Sequence, residues 1–112
     1  MKISSATVKG DLSLRDLDIT SRIKAIEILK CALLSDVSAL FERLRVPAHG
    51  NEHEESLARL LIHLYLLSKN LGTGFTELEA EACALLKREM LSDNGAAEKQ
   101  ALFKHIDKGR ST

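Results

Sequence analysis

Apolar side chains recur at helical spacing over most of the chain. Ile23, Ile26, Leu29, Leu33, Val37, Leu40 and Leu44 follow one another at steps of three and four, the repeat that lines one face of an α-helix. Asp18 or Thr20 can cap the start of that helix. Pro47 cannot continue it, and with His49, Gly50 and Asn51 it marks a short connection that returns the next helix antiparallel. The second helix is expected from about Asn51 to Leu71, ended by Gly72 and Gly74. Leu57, Leu60, Leu61, Leu64, Leu67 and Leu71 form its main apolar face, while Ile62, Tyr65 and Leu66 lie largely off that face. A helix apolar around much of its circumference needs more cover than one neighbour gives, so a homo-oligomer is expected, a dimer first.

Thr76 with Glu79 has capping-box spacing and predicts a third helix to about Met90, with Leu78, Ala82, Leu85 and Leu86 turned inward. Ser92-Asp93-Asn94-Gly95 breaks it. A last helix from Ala96 to about Asp107 is anchored by Leu102, Phe103 and Ile106. The expected fold is all-α, an antiparallel bundle of about four helices. Residues 1–18 read as an irregular arm, 19–107 as the helical domain and 108–112 as a frayed tail.

Charge narrows the classes of partner. Sixteen basic and sixteen acidic residues cancel over 112 positions, which disfavours a protein drawn to nucleic acid or to an anionic membrane. The longest apolar run is too short to span a bilayer, and the N-terminus lacks a signal-peptide core. A cytoplasmic protein is expected. Cys31 and Cys83 sit far apart in helical text, which fits two reduced thiols facing the core better than a disulfide or metal framework.

The segment Glu55-Ser56-Leu57-Ala58-Arg59-Leu60-Leu61-Ile62-His63-Leu64, then Leu66 to Gly72 and Phe75-Thr76-Glu77-Leu78, resembles the second helix of MazG proteins and the turn after it. Upstream, Asp16 to Thr20, Ile23 to Glu27 and Leu33 to Phe41 resemble the divergent MazG-like group. The likeness covers roughly residues 16 to 90. It implies a helical dimer or tetramer related to enzymes that cleave nucleoside triphosphates to monophosphate and pyrophosphate with Mg²⁺, held by carboxylates that converge from two helices.

The family pattern is Glu-Glu-x-x-Glu on the first helix and Glu-x-x-Asp on the second. Here the first falls on Ser35, Asp36, Val37, Ser38 and Ala39, and the second on Ser56, Leu57, Ala58 and Arg59. Asp36 alone keeps an acid, and Arg59 brings a positive charge that repels Mg²⁺. The resemblance therefore implies a degenerate metal site with nucleotide or phosphate binding retained. A structural or regulatory oligomerisation module is the alternative from another class. An active Mg²⁺-dependent hydrolase is the third reading, with Asp36, Glu54 and Glu55 as metal ligands joined by an acid from a partner chain.

Other groups have plainer explanations. His49 and His53 with Glu52, Glu54 and Glu55 could hold zinc, but acids in a first turn also complement the positive end of a helix. His63 could act as a base, although a partly buried histidine with one hydrogen-bond partner is the commoner case. Lys87-Arg88 and Lys104-His105 read as solvated faces, and Gly72-Thr73-Gly74 as a turn.

Overall fold

A computed structural model describes residues 14–45, 52–92 and 95–110. Among these there are four helices and no strand: α1 (Leu14–Arg45), α2 (Glu52–Asn70), α3 (Phe75–Met90) and α4 (Ala96–Arg110). The all-α reading therefore holds. The helices group into two hairpins, α1 with α2 in residues 1–71 and α3 with α4 in residues 72–112. No described helix is long and apolar enough to cross a membrane.

Several boundaries differ from expectation. Helix α1 begins at Leu14, so Asp18 and Thr20 lie inside it and the irregular reading of residues 1–18 fails from residue 14 onward. Ile19, four residues before Ile23, carries the three-and-four repeat one step upstream, inside the helix. The expected arm over residues 1–13 falls outside the described residues. Helix α4 runs to Arg110 instead of fraying at 108, with Arg110 and Asp107 in ion-pair contact at 3.7 Å in its last turn. Residues 111–112 are outside the described part.

Helix α3 starts at Phe75 with Gly74 as N-cap, not at Thr76. The Gly74 N–H donates to the Glu77 carboxylate at 2.7 Å, so the reciprocal acid is Glu77 and not Glu79. A carboxylate three residues after the cap satisfies an amide that the helix itself leaves unpaired. Gly72 has φ 94°, the left-handed conformation that closes helix ends, beside the Leu71 N–H bonds to the carbonyls of Leu67 and Ser68. A Gly72→Ala chain is expected to lose about 1–2 kcal/mol, because a Cβ is strained there. Thermal denaturation followed by circular dichroism measures it, and an unchanged midpoint would refute the assignment.

The core differs from the expected leucine interior. In the α1/α2 hairpin the buried side chains are Leu29 and Leu40 together with Asp36, Ser56 and Ser68. The leucines expected on one inward face of α2 divide. Leu60 and Leu67 turn toward the seam, whereas Leu57, Leu61, Leu64 and Leu71 are exposed. At 100° per residue, Leu57, Leu61, Leu64 and Leu71 share a second stripe beside the seam. On α1, Ile23, Leu34 and Phe41 form another exposed stripe, Leu34 being 74% accessible.

In the α3/α4 hairpin Cys83 is buried, as expected for a core thiol. Cys31 is not: it is exposed on α1. Two residues past Leu29, it is rotated about 200° away from the face that meets α2. Lys87 lies over the Phe103 ring at 5.2 Å, so this lysine is not simply solvated but covers an aromatic face of α4.

Candidate functional site

Asp36 lies about two-thirds of the way along α1, on the same face as Leu29 and Leu40, and this places its carboxylate in the seam with α2. A buried carboxylate requires a donor. His63 supplies it from α2, with Nδ1 2.5 Å from Asp36 Oδ2. The imidazole N–H donates and the carboxylate accepts, which fixes the proton on Nδ1 when the ring is neutral. The Asp36 side chain is 10% accessible and that of His63 27%. Small Ser56, buried one turn before the Leu60 level, belongs to the same inner face of α2.

One turn before His63 on α2, Arg59 reaches back to Glu55, with Nη2 2.6 Å from Oε2. The pair is exposed on both sides. The hydrogen bond and charge of Arg59 hold the Glu55 carboxyl below its ordinary value, with a smaller contribution from Arg43. Glu55 in turn raises the Arg59 guanidinium, and the negative charge of Asp36 adds to that effect. Asp36, His63, Arg59 and Glu55 thus form one mixed-charge constellation bridging α1 and α2.

The positions that resemble the acid motif of pyrophosphohydrolases lie here. Asp36 is the carboxylate of the first motif, and its oxygen is committed to His63. Arg59 stands at the second and is committed to Glu55. Glu54 and Glu55, the other two acids expected as metal ligands, are exposed in the first turns of α2. Among the described residues no group of three or more His, Cys, Asp and Glu side chains is placed to hold a metal ion. The donors at this position do not fit Mg²⁺, which needs several oxygen ligands and no adjacent guanidinium. His53 is half-buried beside Glu52 and Glu54, while His49, the other histidine of the possible zinc set, lies outside the described residues.

Sequence reasoning placed Asp36 with a metal and left the partner of His63 unnamed. The structure joins these two residues across 27 positions. The signal was present only in the hairpin geometry, since Asp36 and His63 lie at similar distances from the connection around Pro47 and so meet when the helices fold back antiparallel.

Comparison with known families agrees with the helical text. The model of the MazG-like family matches residues 19–102, which takes in parts of both hairpins. No curated protein and no solved structure matches the chain. With three-quarters of its length matched by that family model, the chain belongs to the MazG-like family.

Proposed function

We propose that this chain is a MazG-like protein that has lost metal-dependent hydrolysis and acts as a self-associating helical module with phosphate or nucleotide affinity. The observation that supports this most directly is the engagement of Asp36 by His63, next to an arginine where a carboxylate would have to stand. Hydrolysis of a triphosphate by two-metal chemistry requires several carboxylates free to bind cations. Here Asp36 and Glu55 are spent on internal partners. Arg59 instead offers a fixed positive charge at the same position, able to meet a phosphate without a cation.

Self-association is supported by the exposed stripes of α1 and α2. Large apolar patches rimmed by polar residues mark interaction surfaces in monomers. Leu57, Leu61 and Leu64 on α2 and Ile23, Leu34 and Phe41 on α1 supply such faces. A second copy of the same chain presents the same complementary stripes.

Pyrophosphate release is the test. The purified chain, offered the common ribo- and deoxyribonucleoside triphosphates with Mg²⁺ or Mn²⁺, is expected to show no turnover that a chelator abolishes. In chelator, a binding nucleotide is expected to raise the melting temperature, since a ligand taken up only by the folded state stabilises it. Robust chelator-sensitive turnover would refute the degenerate site and return Asp36, Glu54 and Glu55 to the role of ligands. Absence of both turnover and thermal shift would favour the purely structural module.

A further inference from the structure

The exposed apolar stripes of α1 and α2 merge into one side of the first hairpin. On a wheel of 100° per residue each stripe lies roughly 90° from the buried face of its own helix, turned in the same rotational sense. Because the two helices run antiparallel, equal turns in the same sense bring both stripes to the same side. Ile23, Leu34 and Phe41 thus sit beside Leu57, Leu61 and Leu64. With Ile19, Leu44 and Leu71, nine large apolar side chains, 44–74% accessible, share this side. The opposite side holds four: Leu17, Ile28, Ile62 and Leu66.

The polar constellation takes the other side. The same wheel turns Asp36 and His63 slightly toward that side, with Arg59 and Glu55 further round it. Charges meet there across the two helices: Arg43 helps to lower the Glu55 carboxyl, and Asp36 helps to raise Arg59. On the apolar side Lys30 lies among the leucines with its ammonium 3.1 Å from Glu27 of its own helix, and its stem is itself apolar. The area suits one partner. A leucine-sized side chain carries roughly 60–120 Å² of apolar surface, so nine that are a little over half exposed offer roughly 300–600 Å². At the apolar share of ordinary interfaces, about 57%, that corresponds to roughly 500–1,000 Å² per copy, and a standard interface takes about 800 Å² per partner.

We propose that the apolar side of this hairpin is closed by a second copy of the chain about a two-fold axis parallel to the helices, so that α1 of each copy lies on α2 of the other while Asp36, His63, Arg59 and Glu55 face outward. This rests on the self-association reading above and adds which side is used, which helices meet and where the polar constellation ends up. The Asp36–His63 contact fixes the levels, placing Leu34 beside Leu64 and Phe41 beside Leu57 along the helix axes. An axis parallel to the helices keeps those levels, so Leu34 meets the partner's Leu64 and Phe41 meets the partner's Leu57. An axis across the helices at Leu34 would instead set Ile23 against the partner's Arg45 and Phe41 against the partner's Glu27. In the parallel-axis pair no acid from α1 or α2 of the second copy reaches Asp36, so assembly does not complete a metal site there.

Light scattering coupled to size exclusion, on the full chain and on two variants of α1, tests the side. Leu34→Lys is expected to weaken the pair about a hundredfold or more, because two-fold symmetry makes each change act twice. Ile28→Lys, 63% accessible on the opposite side, is expected to keep the parent mass. Both residues are exposed in the single chain, and an unchanged circular dichroism spectrum secures the comparison. Thiol pairing tests the axis. With Cys31→Ser in every chain and Cys83 buried, an equimolar mixture of Leu34→Cys and Leu64→Cys chains is expected to form mixed disulfide-linked pairs on mild oxidation, in preference to pairs of either chain with itself. A parent that stays monomeric at all concentrations would overturn this proposal together with the self-association reading. A dimeric parent that is split by Ile28→Lys or left whole by Leu34→Lys would overturn this proposal alone, as would a Leu34→Cys chain that couples mainly to itself or not at all.

Discussion

A His63→Ala chain is expected to be about 2–3 kcal/mol less stable than the parent in urea denaturation. The change leaves the Asp36 carboxylate in the seam without its donor. Breaking a fully buried ion pair by removing one member costs about 3–5 kcal/mol, and the partial exposure of His63 places this case at or below the lower end. For a domain of this size each kcal/mol moves the melting temperature by roughly 4–8 °C, so the effect is large enough for a simple melt. His63→Gln, which keeps an N–H donor, should recover part of the loss. Replacing both members together, Asp36→Leu with His63→Leu, should recover most of it, because no charge is then left buried and unpaired. Equal stability of parent and His63→Ala chains would show that the pair contributes nothing.

The second large effect is on assembly. Leu61→Lys combined with Leu64→Lys is expected to convert the protein to a single-chain species in light scattering coupled to size exclusion. Both leucines are exposed in the hairpin, 55% and 45%, so the substitutions remove little from the fold of one chain. In a two-fold symmetric pair each substitution acts twice. Burial of one leucine is worth about 1.5–3 kcal/mol, so the loss is on the order of 6 kcal/mol or more, and every 1.4 kcal/mol is about tenfold in affinity. Weakening by about four orders of magnitude separates copies at ordinary working concentrations. A parent chain that is monomeric at all concentrations, or a variant that keeps the parent mass, would refute self-association through α2.

Much of the helical architecture was legible because it depends on short-range signals. Gly72 ends α2 by backbone chemistry alone, and the leucine repeat marked α1, α2 and α3. What the repeat could not do was choose the inward face of α2. Leu57, Leu60, Leu61, Leu64 and Leu67 cover too wide an arc for periodicity to select among them, and the choice is made by Asp36 on the opposite helix. Facing that carboxylate requires His63, and turning His63 inward carries Ser56, Leu60 and Leu67 with it while Leu57, Leu61 and Leu64 rotate outward. Cys31 was misplaced because a lone thiol carries no face preference strong enough to outweigh its angular position on α1.

The Asp36–His63 contact also decides how α1 and α2 may slide on each other. Leucine-rich surfaces accept several alignments at similar energy, since one leucine fills the gap left by another. A slip of one helical turn would move His63 by about 5.4 Å and strand the carboxylate among apolar neighbours. Only one alignment avoids that penalty, so this polar pair works as an index mark on an otherwise interchangeable surface. It sets where every leucine on the outer faces of the hairpin comes to rest, and hence the pattern that a second copy would meet.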